Sequence, residues 1–246
     1  MADADVERLV APNPGPMTLE GTNTYLVGRG PTIVIDPGPA DEGHIDTVRA
    51  AAEERGGIGA VLLTHSHSDH SDGVAMLGVE PEGAHDAHDA AGLGLIPTPG
   101  HAADHHCFLL DREHPASGGI VSCFTGDLIL GEGSTIVPPR EHGGSLADYL
   151  ASLRRLDGLS LDLLFPGHGP RIDDPHAKIE EYIEHREERH RKLVAALGRG
   201  ERSRKALLAE VWDDVPEELR GAAAVAMQAH LEMLEDEGSL PADLRD

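Results

Sequence analysis

Aromatic side chains are scarce in this chain: one Trp, three Tyr and three Phe among 246 residues. A protein that stacks single-stranded bases on aromatic platforms is poorly served by so few. Cysteine is scarcer still. Cys107 and Cys123 are too few for a disulfide-built scaffold and do not form a Cys-x-x-Cys zinc pair. Basic residues are outnumbered, 20 Lys plus Arg against 44 Asp plus Glu, and the formal net charge of −24 excludes a generally basic nucleic-acid coat. No apolar run approaches the length needed to cross a bilayer, and Met1 to Asp5 lack the basic and apolar regions of a secretion signal. A soluble, cytoplasmic chain with no membrane partner is therefore expected. What is abundant is histidine, at 16 residues, and metal ligation is the first use to test for so many imidazoles.

Hydrophobic residues at 39% and charged residues at 26% describe a globular chain, long enough for one large domain and a small one. Thr24 to Val27, Thr32 to Ile35 and Val61 to Leu63 are short apolar runs bounded by Gly, Pro or Asp, which suits buried strands. Cys107 to Leu110, Ile120 to Phe124 and Leu161 to Phe165 read the same way. Asp41 to Arg55 predicts a helix with Ile45, Val48 and Ala52 on one face and Gly56-Gly57 as its stop. A second helix, Ser145 to Leu156, has Ser145 as cap and Leu146, Tyr149, Leu150, Leu153 and Leu156 at helical spacing. After Gly169-Pro170 the pattern becomes helical only: His176 to about Leu197, Ser203 to Trp212 and Glu217 to Glu235. Mixed α/β is the class, with residues 1–174 as the large domain and 175–246 as a small helical one. The tail opens on a basic segment, Arg186 to Lys205. In a hairpin between Cys107 and Cys123 the two thiols can face each other, and both are expected reduced and buried.

The chemistry-bearing cluster is Thr64-His65-Ser66-His67-Ser68-Asp69-His70, directly after a predicted strand. Residues two apart in an extended stretch project to one side, so His65 and His67 can converge on one ion. Asp69 and His70 sit where the chain turns into a helix over Gly73 to Leu77 and can address a second. Imidazole with carboxylate is a zinc donor set that iron and manganese also accept. Three later segments repeat one layout, an apolar strand followed by a tight turn and a ligand: Thr98-Pro99-Gly100-His101, Gly126-Asp127 and Pro166-Gly167-His168-Gly169. Loops at the ends of buried strands are where sites are built.

In this order, these segments resemble the metallo-β-lactamase superfamily. With Gly21 to Val27, Val34 to Gly38, Gly126 to Gly133 and Phe165 to Pro170, the resemblance is closest to the group of the human mitochondrial beta-lactamase-like endoribonuclease, which carries a winged-helix-like C-terminal domain. The resemblance implies an αββα sandwich and two Zn2+ per chain. His65, His67 and His101 would hold one ion, Asp69, His70 and His168 the other, and Asp127 would bridge them. Asp36 would orient ligands from behind, or else serve as a turn residue before Pro37; both readings stand. His105 would neighbour the ligands. The implied reaction is hydrolysis by a hydroxide shared between the metals, with Asp69 and Asp127 as the catalytic carboxylates. Antibiotic-hydrolysing members lack the bridging aspartate, which disfavours true β-lactamase action. Val74 to Pro97 is shorter than in most relatives, so the cleft is expected to be more open, and Ala102 replaces a usual Thr.

Hydrolases of this superfamily act mainly on carboxyl-type esters or on phosphodiesters. The acidic balance and the few aromatics favour a small or carrier-bound thioester or ester. A single-strand endoribonuclease is the alternative, and a binding protein on an inactive scaffold or an iron oxygenase of the same fold ranks below it. Of the seven aromatics, Phe108, Phe124 and Phe165 are expected in the strand core and Tyr149 on a buried helix face.

Overall fold

The computed structural model describes residues 5–78 and 92–244, and the chain forms two compact units. The first comprises Met1–Thr98, Asp104–Thr135 and Gly158–Lys178; the second comprises Pro99–Ala103, Ile136–Asp157 and Ile179–Asp246. The shortened stretch Val74 to Pro97 falls largely on residues 79–91, which lie outside the described residues.

The first unit holds two four-stranded sheets. One is β1 (Val6–Val10), β2 (Asn23–Val27), β3 (Thr32–Ile35) and β4 (Ile58–Leu62), in that order. The other is β5 (Gly94–Pro97), β6 (His106–Leu110), β7 (Ser122–Gly126) and β8 (Leu163–Pro166), also in order. Each sheet repeats one scheme, with antiparallel neighbours up to the third strand and a fourth strand parallel to the third. A parallel partner requires a crossover. In the first sheet that crossover carries α1 (Glu42–Glu54), capped where the Asp41 side chain accepts from the His44 amide at 2.8 Å.

Alternation along the strands decides the layers. Tyr25, Val27, Ile33 and Ile35 point inward to meet Phe108, Leu110, Phe124 and Phe165 of the other sheet. The intervening Val34 and Val61 point outward, onto Ile45 and Val48 of α1 and onto Val74 and Leu77 of a short helix. Two such single turns follow β4, α2 (Ser68–Ser71) and α3 (Val74–Leu77). Truncating a fully buried side chain such as Ile35 to Ala would cost about 2–5 kcal/mol. The fold is thus the expected sandwich of two sheets with helices outside.

The six strands read from the sequence are present with ends shifted by a few residues, whereas β1 and β5 carry no signal of that kind. Their sequences explain why. β1 is a half-exposed edge strand carrying Glu7 and Arg8, and β5 is only Gly-Leu-Ile-Pro. Cys107 and Cys123 are free and buried, as expected. They do not face each other directly: Leu109, not Cys107, is the partner of Cys123, so the thiols lie diagonally on one sheet face.

The second unit is helical. It contains α4 (Leu146–Asp157), most of α5 (Pro175–Gly198), α6 (Arg204–Val211) and α7 (Arg220–Asp236). Leu146, Tyr149, Leu150, Leu153 and Leu156 are all buried along α4, as their spacing required. Leu193, Leu197, Leu207, Trp212, Met227 and Leu231 build the C-terminal core. The helix read over Glu217 to Glu235 is instead a 3-10 turn, Glu217–Leu219, followed by α7, because the non-helical conformation of Leu219 interrupts it. From residue 175 onward the described residues contain helices and no β-strand, so no wing of paired strands is among them. No helix of the described residues is long and apolar enough to cross a membrane.

Candidate metal centre

The candidate ligands of the first unit, with Asp36, sit just beyond the carboxyl ends of four strands. Asp36 follows β3, Thr64 to His70 follow β4, Asp127 follows β7 and His168 follows β8. Parallel pairing of β3 with β4 and of β7 with β8 brings these ends to one rim of the sandwich. Asp36 is the hinge of the arrangement. At φ +50° it turns the chain out of β3, a conformation that Asp tolerates better than most residues. Its carboxylate accepts the Thr64 amide at 2.7 Å and the Thr64 hydroxyl at 2.7 Å, and faces His70 Nδ1 at 2.9 Å. Of the two readings left open for Asp36, the ligand-orienting one describes these contacts.

Two donor groups result. His65, His67 and Asp127 present ligand atoms within 4.8 Å of one another, and so do Asp69, His70 and His168. In the first group His65 Nε2 lies 2.9 Å from His67 Nδ1. In the second, His168 Nε2 is 3.3 Å from Asp69 Oδ2, and His70 Nε2 is 3.5 Å from the same oxygen. Asp127 Oδ1, a donor of the first group, also stands 3.3 Å from both His70 Nε2 and His168 Nε2 of the second. A tetrahedral ion with ligands at about 2.0–2.1 Å has edges of about 3.3–3.4 Å between them. The two separations made by Asp69 Oδ2 are therefore close to the edge lengths of a tetrahedral divalent site.

Close packing keeps these atoms in place. A Cβ on Gly167 would lie 2.6 Å from Asp127 Oδ1 and 2.8 Å from His70 Cε1. Gly126, at φ +46°, would place one 2.5 Å from Thr64 Oγ1. Side chains of β2 hold the opposite turn, since the Tyr25 hydroxyl donates to Pro166 O at 2.7 Å and Asn23 Nδ2 donates to Pro166 O and Gly169 O. His168 Nδ1 donates to Gly21 O at 3.1 Å, which turns Nε2 toward the carboxylates. His105 pairs through Nδ1 with Thr98 Oγ1 at 2.9 Å, its ring 5.1 Å from that of His65.

His101 lies on the turn Pro99–Ala103, within the second unit. There the Ser145 amide donates to Gly100 O and Ser152 Oγ donates to Pro99 O, which binds the turn to α4. His101 Nδ1 hydrogen-bonds Ile136 O at 2.9 Å.

The electrostatics of the donor groups are those of a site made for positive charge. Burial disfavours a charge on His168, yet Asp127 and Asp69 beside it push its pKa up to about 9. Burial likewise opposes protonation of His70, and Asp127 and Asp36 overcome it, raising its pKa well above the ordinary value. Burial would raise Asp127, but His70 and His168 hold its carboxyl well below the usual range. Protons on imidazoles thus balance the carboxylates, and a bound dication would displace them.

Sequence reasoning assigned no role to Asn13, Thr22, Thr64 or Thr98, all of which hydrogen-bond within or beside the donor groups. Buried short polar residues opening a strand, as in Thr22-Asn23-Thr24, were the signal. His44, also without a role, is buried with Nε2 at 2.8 Å from Thr24 Oγ1.

A profile of the metallo-beta-lactamase superfamily matches residues 17–81, the stretch that carries His65 to His70. The chain is 40% identical over 226 residues to the lactamase-like protein adaB of Aspergillus niger, covering 83% of this chain and 66% of that one. It is 35% identical over 253 residues to the beta-lactamase-like protein 2 homolog of Caenorhabditis elegans, covering 91% and 81%. It is 38% identical over 212 residues to the thioesterase pkgB of Emericella nidulans, covering 78% and 58%. In fold it matches a metallo-beta-lactamase family protein of Thermus thermophilus, with a TM-score of 0.71, 22% identity and coverage of 95% and 94%. With two sheets, donors at the strand ends and a relative matched over four-fifths of its length, the chain belongs to the metallo-beta-lactamase superfamily.

Proposed function

We propose that this chain is a binuclear metal-dependent hydrolase of thioesters or esters, acting on a small or carrier-bound substrate in the cytoplasm. The observation that carries the metal reading is the Asp127 carboxylate, a donor of the first group that also stands 3.3 Å from His70 and His168 of the second. His65, His67 and His101 would hold one ion, Asp69, His70 and His168 the other, with Asp127 between them. Imidazole and carboxylate suit zinc first, and iron or manganese as substitutes.

Bound there, two dications supply a hydrolytic nucleophile at neutral pH and polarise the attacked carbonyl oxygen. The chain's own residues do the rest. His168 and His70, each held through Nδ1, present Nε2 in fixed directions. Asp36 keeps His70 from turning. Asp69, half-exposed at the rim, is placed to orient the attacking water and to carry a proton to the leaving group.

Three observations support a carboxyl-type substrate over RNA. One relative bears the name thioesterase. All seven aromatics, Tyr25, Phe108, Phe124, Tyr149, Phe165, Tyr182 and Trp212, are buried, so no base-stacking platform remains. Five of the eight cations of the basic segment pair with carboxylates within their own unit: Arg189 with Asp214, Arg191 and Lys192 with Glu188, Arg199 with Glu210, and Arg202 with Asp243.

The test is relative turnover by the zinc-loaded protein. A generic thioester should be cleaved faster than single-stranded RNA or an activated phosphodiester, and Asp127→Asn should abolish that activity. The opposite order of substrates, also lost in Asp127→Asn, would overturn the thioester reading in favour of a phosphodiesterase. Fewer than one bound ion per chain after growth in zinc would point instead to a binding protein on the same scaffold.

A further inference from the structure

Asp69 is the least secured of the second group's donors. It stands on the single turn α2 and is only half-buried, so its own element does little to fix its carboxylate. The side chain that meets it comes from the β1–β2 connection. Thr22, fully buried, lies with Oγ1 3.3 Å from Asp69 Oδ2. Asn13 Nδ2 is 2.9 Å from the same hydroxyl oxygen, while Asn13 Oδ1 accepts from the Thr22 amide at 2.9 Å.

The direction of every proton in this chain of contacts follows from donor chemistry. The Thr22 amide can only donate, so the Asn13 atom facing it is the carbonyl oxygen, and the amide nitrogen of Asn13 faces the hydroxyl. That nitrogen can only donate, so it occupies a lone pair of Oγ1. The single hydroxyl proton of Thr22 is left to point at Asp69 Oδ2. Asn13 is itself tied down, because the Thr18 hydroxyl donates to its backbone carbonyl at 2.6 Å.

The same short segment also serves His168. Gly21 O accepts from His168 Nδ1, and Thr22 bridges to His168 through the backbone. We propose that Asn13 and Thr22 form a positioning relay that, together with Gly21, sets Asp69 and His168 as a pair for the second ion. The inference rests on the reading of Asp69 and His168 as ligands. Neither Asn13 nor Thr22 touches the ion or the substrate; they act through Asp69.

The experiment compares Thr22→Val, Thr22→Ser and Asn13→Asp with the native chain, by zinc competition against a chromophoric chelator and by the visible absorption of the Co2+-loaded protein. Thr22→Val keeps the shape and removes the proton donor. It should weaken the second ion by about 10–100-fold and leave the first ion unchanged. Thr22→Ser retains the hydroxyl and should restore most of the affinity. Asn13→Asp puts an acceptor where Nδ2 stood, draws the Thr22 proton away from Asp69, and should weaken the second ion even if Thr22→Val folds poorly. Native binding of both ions, with an unaltered Co2+ spectrum, in Thr22→Val or in Asn13→Asp would overturn the relay. Asp69→Asn separates the two readings. If it loses the second ion while the Thr22 and Asn13 variants keep theirs, only the relay falls. If it binds as many ions as the native chain, the ligand assignment of Asp69 falls and takes the relay with it.

Discussion

His70 Nδ1 stands 2.9 Å from Asp36 Oδ2, and the other oxygen of that carboxylate accepts the Thr64 amide at 2.7 Å. One side chain therefore joins the end of β3 to the segment after β4 and also fixes the face that His70 turns toward Asp127. A substitution there should register in both stability and metal affinity. Asp36→Ala strands a buried amide and hydroxyl at Thr64 and frees the imidazole. The expected losses are about 1–3 kcal/mol in denaturant unfolding and about 10–100-fold in zinc affinity by chelator competition.

Gly167 is required by space, since an added Cβ would lie 2.6 Å from Asp127 Oδ1. Gly167→Ala should displace the carboxylate that faces both donor groups. The expected result is a folded protein, by circular dichroism, whose metal content falls for both ions together. Full metal content in this variant would show that Asp127 is not the common ligand.

Removal of metal should destabilise the protein, because an ion held by the folded state alone adds to its stability through mass action. Carboxylates and imidazoles left facing one another regain part of this by protonation. Thermal melting before and after EDTA should show a lower Tm in the stripped protein, restored by zinc. A Tm indifferent to EDTA and zinc would count against both sites.

Acid should weaken the helical region through His185 on α5. Burial lowers its pKa first, and Arg186 and Arg189 lower it further, to about 4. His230 on α7 is buried and also held well below its ordinary value. A group whose folded pKa is depressed below an unfolded value near 6.5 stays neutral in the fold, while the unfolded chain takes up a proton. Stability is therefore full above about pH 6.5 and declines as pH falls toward about 4. The expected slope from His185, discounted for its partial exposure, is about 1 kcal/mol per pH unit in that window, and His185→Gln should flatten it in urea titrations at pH 7 and pH 5.

Arg189 is a buried guanidinium that donates to Val211 O and, through one nitrogen, to both oxygens of Asp214 at 2.6 Å. Asp214→Asn should cost more than the loss of an exposed pair, about 1–3 kcal/mol, because a buried charge loses its counter-ion. Arg191→Ala, on a side chain 63% exposed, should change stability by less than about 0.5 kcal/mol.

The sequence by itself determined the α/β class, six of the strands, the helical tail and the identity of the residues that come together as candidate donor groups. These were legible because each is a local property: an apolar run of period two, a helix cap, or His-x-His-x-Asp-His after a strand. Edge strand β1 was hidden by Glu7 and Arg8, since an exposed edge has no burial pattern to read. Asn13 and Thr22 were silent for a different reason. A Thr is a ligand's partner only if a carboxylate 47 positions away in the chain arrives 3.3 Å from it. That Asp127 stands 3.3 Å from His70 and His168, that Gly167 leaves room for its oxygen, and that every aromatic and most of the basic segment are spent internally were likewise decided by tertiary packing. Local sequence sets which atoms are available, and only the closing of the sheets sets which of them meet.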